Sequence, residues 1–163
     1  MASPARADFG KVAGIIRRIR SALLTTVDDQ GNFHTRPMQT LRVENDLTLW
    51  FFTDFRSAKA HELGRDVRVA LGYAQPTAGT FVSLSGTGTL LRHPQKAAEL
   101  WTLEQRAYFP EGPGDERLAL LKVRVESAEY WIAPGRTTHL LAALKAAVTR
   151  IPARVVGENA RVP

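Results

Sequence analysis

Short apolar runs, separated by glycine, proline and polar residues, follow one another along most of the chain, a pattern typical of β-strands. It predicts six strands, at about residues 21–27, 33–41, 47–53, 67–73, 80–92 and 121–132. A polar stretch ending in glycine and asparagine separates the first two strands and favours a hairpin. Because strands and helices do not alternate, we expect an antiparallel arrangement. Six short antiparallel strands favour a small closed barrel.

Helical spacing of apolar residues is found mainly at the flanks of the strand-rich region. It predicts helices over about residues 9–20, 94–105 and 138–148. A shorter helix is predicted from Ser57 to Leu63, with Ser57 as its N-cap and Gly64 as its C-terminal stop. The glycines at 86 and 88 interrupt the longest predicted strand and favour a bulge or a sharp curl there.

Length and composition indicate one domain spanning residues 1–163, mainly β with peripheral helices. The barrel is expected over about residues 20–133, and a C-terminal helix and irregular tail over residues 134–163. No stretch approaches the roughly 18 uninterrupted apolar residues of a membrane-spanning helix. The segment MASPARADFG lacks the apolar core of a signal peptide, and the chain has no cysteine. A cytoplasmic protein without membrane attachment is therefore expected.

The chain is basic, with 22 lysines and arginines against 16 aspartates and glutamates and a formal net charge of +6. Such a balance suits either nucleic acid or a small phosphorylated ligand. Arginines cluster at residues 17–20 and at residues 150–161, but neither cluster is interleaved with aromatic residues that could stack on bases. Nucleic-acid binding is therefore the less favoured alternative, and its signature would be steeply salt-dependent binding to DNA.

The stretch LWFFTDFRSAKAHELG changes from aromatic to cationic where a predicted strand passes into a predicted helix. Thr53 ends the strand, and Ser57 and Lys59 stand at the helix N-terminus, where free N–H groups favour an anion. Arg36 lies on the preceding strand of a presumed meander and could add a bidentate donor. These four side chains predict a phosphate site. The alternative is a capped helix with solvated cations.

Other familiar site patterns are missing from the sequence. There is no GxGxxG or GxxxxGK[ST] loop for a nucleotide and no G-x-S-x-G turn for a serine hydrolase. The four histidines are widely spaced and form no metal-binding motif, so no metal site is expected. The residues identify no catalytic acid or base.

Five segments taken in order resemble the general stress protein branch of the pyridoxamine 5'-phosphate oxidase-like superfamily. The segments are ALLTTVDDQGNFHTRPM, LWFFTDFRSAKAHEL, FVSLSGTGTL, AEYWIAPG and GENARV, and the resemblance extends from about residue 9 to residue 162. It implies a six-stranded antiparallel split β-barrel that forms a homodimer, with FMN (flavin mononucleotide) bound at the dimer interface.

The resemblance also implies which residues contact the cofactor. Arg36, Ser57 and Lys59 would hold the phosphate, Pro37 and Met38 would lie beside the flavin ring, and Phe52 and Thr53 would line the cofactor from the next strand. The partner subunit would contribute Phe81 or Ser83, together with Trp131. The chain ends in PGRTTHLLAALKAAVTRIP and a short tail. Vitamin oxidases of the superfamily carry a substrate-binding arginine and histidine there, so oxidation of the vitamin is not expected.

The resemblance implies an FMN-dependent oxidoreductase that takes a hydride from a reduced nicotinamide or another donor and passes it to an unknown acceptor. Two alternatives stay open. The protein could store or sense flavin without catalysis, or it could be a reductase that uses a deazaflavin. FAD is a further alternative cofactor, and an absorption spectrum separates the deazaflavin from the two flavins.

Overall fold

The computed structural model describes residues 4–134 and 158–162. The helices are α1 (Pro4–Ile19), α2 (Ala58–Arg65) and α3 (Pro94–Leu100). The strands are β1 (Ser21–Val27), β2 (Phe33–Gln39), β3 (Arg42–Val43), β4 (Thr48–Asp54), β5 (Arg68–Gln75), β6 (Thr80–Leu91), β7 (Leu118–Ile132) and β8 (Glu158–Val162). The helix predicted over residues 138–148 lies outside the described residues.

The strands form one curled antiparallel sheet in the order β2-β1-β5-β6-β7-β4-β3, and β8 pairs with β7. All six predicted strands are present, and the mainly β split-barrel class is confirmed. Two short strands were not predicted. The two-residue β3 is too short to show a pattern, and β8 corrects the prediction of an irregular tail by pairing Ala160 with Tyr130.

The presumed meander is wrong at one point that matters for the site. Strand β4 pairs with β7 along its whole length rather than with β2, which pairs with β1. Strands β2 and β4 approach each other only because the sheet curls, so that residues from both line one cavity. The approach of β2 to Thr53 therefore arises from barrel curvature instead of from a shared hairpin, and it is Pro37 and Met38, not Arg36, that share the cavity with Thr53.

Alternation along the strands separates a barrel core from an outer face. In β6, Val82 and Leu84 are buried, whereas Phe81 and Ser83 are exposed. In β4, Phe51 is completely buried in the barrel core, while Trp50 and Phe52 pack in a second apolar cluster on the opposite side. Helix α1 covers the core with its apolar stripe, which includes the buried residues Val12, Ile15 and Ile16.

A bulge bends the long β6–β7 ladder, as the glycines of the sequence predict. The register shifts between Ser85 and Gly86. A Cβ atom added at Gly86 would lie 2.0 Å from the backbone oxygen of Arg124, so only glycine fits at this close approach.

Helix boundaries differ from the prediction in three places. Helix α1 begins at Pro4 rather than at about residue 9. Helix α2 continues through Gly64 to Arg65, because Gly64 keeps helical geometry and does not act as a stop. Helix α3 ends at Leu100, since Trp101 is extended and packs on Phe52 with their ring centroids 5.8 Å apart. No helix in the described ranges is long and apolar enough to cross a membrane.

Candidate functional site

A cavity of about 430 Å³ opens between β2, β4 and the loop that follows α3. Its lining residues are Pro37, Met38, Gln39, Leu41, Phe52, Thr53, Asp54, Lys59, Gln105, Tyr108 and Phe109. Of the predicted cofactor ligands, Pro37, Met38, Phe52, Thr53 and Lys59 line this cavity, whereas Arg36 and Ser57 are not among its lining residues. Most of the wall is apolar, and the polar groups concentrate where β4 meets α2.

The apolar end of the cavity is built on a group of three aromatic rings. Phe52 lies 5.8 Å from Trp101 and 6.4 Å from Phe109 between ring centroids, the second pair edge to face. These are favourable separations for aromatic pairs. The rings hold the loop after α3 against β4, so this wall of the cavity is formed before any ligand arrives.

At the polar end, the Nζ atom of Lys59 donates to Oγ1 of Thr53 over 3.2 Å. Partial burial lowers the pKa of the Lys59 amine below its ordinary 10.5, and the nearby Arg36 guanidinium lowers it further. Ser57 occupies the N-cap position of α2 without capping it. Its Oγ atom is buried and has no hydrogen-bond partner in the described structure. A buried hydroxyl without a partner is uncommon, and one beside a helix N-terminus suits an anionic ligand.

Arg36 is close to this polar end but is already paired. Its guanidinium donates to Oε2 of Glu62 over 2.8 Å and also donates to the hydroxyl of Thr26. The same Oε2 atom accepts a hydrogen bond from Thr26, which is fully buried. Burial raises the pKa of Glu62, but the hydrogen bonds from Thr26 and Arg36 outweigh it, so the pKa lies below the ordinary 4.5. The predicted phosphate ligand thus also belongs to a buried ion pair.

Sequence reasoning missed two groups of residues at the site. Glu62 stands three positions after Lys59, a spacing that puts both on one face of α2, and this was the available signal. Gln105 lies in a short 3-10 helix (Leu103–Ala107) of the loop after α3, and Tyr108 and Phe109 follow it; no periodicity there marks a wall of a cavity.

The residues predicted to act from the partner subunit lie elsewhere. Phe81 and Trp131 are opposite each other in the β6–β7 ladder, and 41% and 37% of their surfaces are exposed. Ser83 is also exposed, opposite Glu129. None of the three lines the cavity of the same chain. In the described ranges, no three histidine, aspartate or glutamate side chains cluster as metal ligands would.

The fold and the cavity define a split barrel with an apolar slot that ends in cationic and hydroxyl groups. Residues 7–152 match the sequence profile of the pyridoxamine 5'-phosphate oxidase-like family. The chain belongs to this family, which confirms the resemblance noted in the sequence.

Solved structures support the same assignment. A protein related to general stress protein 26, from Clostridium acetobutylicum, superposes with a TM-score of 0.71 at 14% identity, over 96% of each chain. The general stress FMN/FAD binding protein of Xanthomonas citri superposes with a TM-score of 0.65 at 28% identity, over 77% of this chain and 88% of its own.

A relative by sequence is protein bli-3 of Neurospora crassa, which is 25% identical over 121 residues. The match takes in 68% of this chain but only 58% of the relative's length. This chain therefore corresponds to little more than half of that protein.

Proposed function

We propose that the protein is a flavin-dependent oxidoreductase of the general stress protein type that binds FMN in the cavity between β2 and β4. The observation that carries this proposal is the pairing of an apolar slot of about 430 Å³ with a polar end lined by Lys59 and Thr53, next to the helix N-cap Ser57, whose buried hydroxyl has no partner in the described structure. A flavin mononucleotide has the matching shape, a flat apolar ring at one end and a phosphate at the other. The related Xanthomonas citri protein, by name an FMN/FAD binding protein, supports a flavin as the ligand.

Each group has a defined task in this proposal. Lys59 and the Ser57 hydroxyl, with the N–H groups that begin α2, hold the phosphate. Arg36 adds positive charge to this end while Glu62 fixes its position. Pro37, Met38 and Phe52 exclude water from the ring and set its orientation. The bound flavin supplies the redox chemistry, and the protein positions it and tunes it.

The proposal includes a homodimer, since large apolar side chains are exposed on the outer face of the sheet where strands β1, β5, β6 and β7 meet. Leu23, Phe81 and Trp131 are all more than a third exposed there. Gly72 lies between Leu23 and Ser83 in the ladder and leaves the surface flat. Exposed apolar patches of this kind mark interfaces. A second copy seated on this face would place its Phe81, Ser83 and Trp131 as the resemblance implies.

The decisive binding experiment compares FMN with riboflavin, which lacks the phosphate, by calorimetric titration. Lys59→Gln is expected to weaken FMN binding by about tenfold to a hundredfold, the range for losing a charge-assisted hydrogen bond, and to leave riboflavin binding unchanged. Lys96→Gln is the matched control, because Lys96 is a partly buried lysine on α3 outside the cavity. A native protein that binds neither compound would refute the proposal.

A second experiment tests the chemistry. Purified protein should be yellow, and the spectrum of the cofactor released on denaturation identifies it as a flavin or a deazaflavin. Under anaerobic conditions, a reduced nicotinamide should bleach the bound flavin. A suitable electron acceptor, found by screening, should then restore the colour. If no donor bleaches it, the protein binds flavin for storage or sensing.

The cysteine-free composition supports a cytoplasmic site of action.

A further inference from the structure

An aromatic ring contacted by two guanidinium groups lies directly beside the polar end of the cavity. The guanidinium carbons of Arg92 and Arg56 lie 4.8 Å and 5.5 Å from the centroid of Phe55. All three side chains are exposed, and we call them the Phe55 rim. Neither guanidinium forms a salt bridge with a carboxylate in residues 4–134 and 158–162.

The Phe55 rim is attached to the proposed phosphate site by a tight turn. The N–H of Ser57 donates to the carbonyl of Asp54 over 3.0 Å, so Phe55 and Arg56 are the two central residues of a β-turn. Asp54 lines the cavity, and Ser57 carries the buried hydroxyl. A group joined to a phosphate at Lys59 therefore needs to extend only past this turn to reach the rim.

The turn is held rigidly, so the rim is formed in advance. A carboxylate oxygen of Asp54 accepts from the N–H of Arg56 over 2.8 Å, and the N–H of Phe55 donates to the carbonyl of Arg117 over 2.9 Å. Arg92 also donates to the carbonyl of Glu116.

The charges around the rim leave it cationic. The acidic groups nearby are Asp54, Asp115 and Glu116. Asp115 is already engaged by Arg117, with the closest nitrogen and oxygen 2.9 Å apart. The charges of Arg56 and Arg92 are therefore not matched by a dedicated carboxylate, unlike those of Arg36 and Arg117.

An aromatic ring beside two guanidinium groups that have no carboxylate partner in the described residues matches the chemistry of a purine nucleotide. Bases stack on phenylalanine rings and on guanidinium planes, and guanidinium groups bind phosphate with two parallel hydrogen bonds. We propose that the Phe55 rim binds an adenosine phosphate moiety, an inference that rests on the proposed flavin site. The moiety would be either the adenylate half of FAD or the adenosine phosphate half of a nicotinamide donor.

The test titrates native protein and an Arg56→Gln/Arg92→Gln variant with FMN and with FAD, and then titrates FMN-saturated protein with AMP. Both arginines are exposed, so the variant is expected to fold. Arg18→Gln, at an exposed position of α1, controls for the loss of a surface arginine charge. If the moiety belongs to FAD, native protein binds FAD more tightly than FMN. The variant then loses about tenfold in FAD affinity or more while its FMN affinity stays within about twofold, as expected for lost charge-assisted contacts and stacking.

If the moiety belongs to a separate donor, FMN and FAD bind alike, and AMP binds to the FMN-saturated native protein but not to the variant. The inference is overturned if the variant loses neither FAD nor AMP binding, or if it weakens FMN and FAD equally. A native protein that binds no flavin refutes the proposed function itself, which the FMN and riboflavin titrations detect separately.

Discussion

Lys59 keeps a positive charge in a partly buried place where both burial and a second cation oppose it. Burial and the Arg36 guanidinium lower the pKa of its amine, and the carboxylates of Asp54 and Glu62 offset only part of this effect, so a bound anion would stabilise the charge further. The residue is thus better suited to a ligand than to an empty surface. The sequence could predict this much, because a lysine two residues after a helix N-cap has few other partners.

The lowered pKa of Lys59 predicts how FMN binding depends on pH. A group with a lowered pKa loses its proton at a lower pH than an ordinary lysine, so FMN affinity should already fall as the pH approaches the ordinary value of 10.5 from below. Lys59→Arg should flatten this profile, because the guanidinium stays charged throughout. Titration with FMN across this range is the measurement, with riboflavin as the phosphate-free control. Parallel profiles for the lysine and arginine proteins would exclude Lys59 as a phosphate ligand.

Glu62 is a residue whose hydrogen-bond partners could not be predicted from the sequence. From the sequence, an isolated glutamate on a short helix is expected to be a solvated surface charge. Only the curl of the sheet brings Thr26 and Arg36 to the Oε2 atom of Glu62. Because a buried carboxylate is stable only when it is paired, Glu62 and Arg36 depend on each other.

The second prediction concerns this ion pair. The pKa of Glu62 lies below its ordinary 4.5, so its stabilisation is present above that pH and is lost as the pH falls through the folded-state pKa. Glu62→Gln should lower the free energy of unfolding by about 1–3 kcal/mol at neutral pH, and the difference should narrow in acid. Urea unfolding of the native and Glu62→Gln proteins at neutral and acidic pH measures this difference in the free energy of unfolding. Asp29→Asn removes an exposed pair with Arg65 and should change stability by less than about 0.5 kcal/mol.

At the scale of elements, local pattern identifies strands, while their neighbours in the sheet depend on contacts between distant parts of the chain. Each of the six predicted strands exists because alternating residues have to face the core and the solvent. The pairing of β4 with β7 could not be predicted, because it joins segments separated by more than sixty residues and no local motif encodes it. For the same reason, Phe109 was not predicted to contact Phe52.

The bulge at Gly86 provides a prediction at this scale. Gly86→Ala should destabilise the protein by about 1–3 kcal/mol, because the added Cβ collides with the backbone of β7 and not with a side chain that can move. Gly64→Ala is the opposite case. A Cβ at Gly64, inside α2, meets nothing within 4 Å, and the change should stabilise the protein by about 0.5–1 kcal/mol. The urea concentration at the midpoint of unfolding should fall for Gly86→Ala and rise for Gly64→Ala. Equal shifts would contradict the described backbone of α2 or of β6.

At the scale of the whole molecule, the described chain carries a cavity on one side and an apolar sheet face on another. The predicted cofactor ligands divide between the two, with Lys59 at the cavity and Phe81 and Trp131 on the face. A monomer could not bring these groups to one ligand without refolding. The homodimer of the proposal unites them and covers the face.

The fourth prediction addresses this assembly. Phe81→Glu should weaken self-association by at least about tenfold, as expected for a buried aromatic at the centre of an interface, and should weaken flavin binding with it. Leu103→Glu is the control, because Leu103 is 80% exposed on the loop after α3 and lies off the sheet face. Sedimentation velocity at several protein concentrations measures the dimer dissociation constant of each variant. A native protein that sediments as a monomer at micromolar concentration would contradict the shared site.

The placement of Pro37 has a consequence for contacts between molecules. Strand β2 ends the sheet at one edge and carries a proline, and the opposite edge is the two-residue β3. A proline or a very short strand makes a poor template for a strand of another molecule. Neither end of this strand order therefore favours edge-to-edge growth into fibrils. A residue that lines the cavity also protects one edge of the sheet.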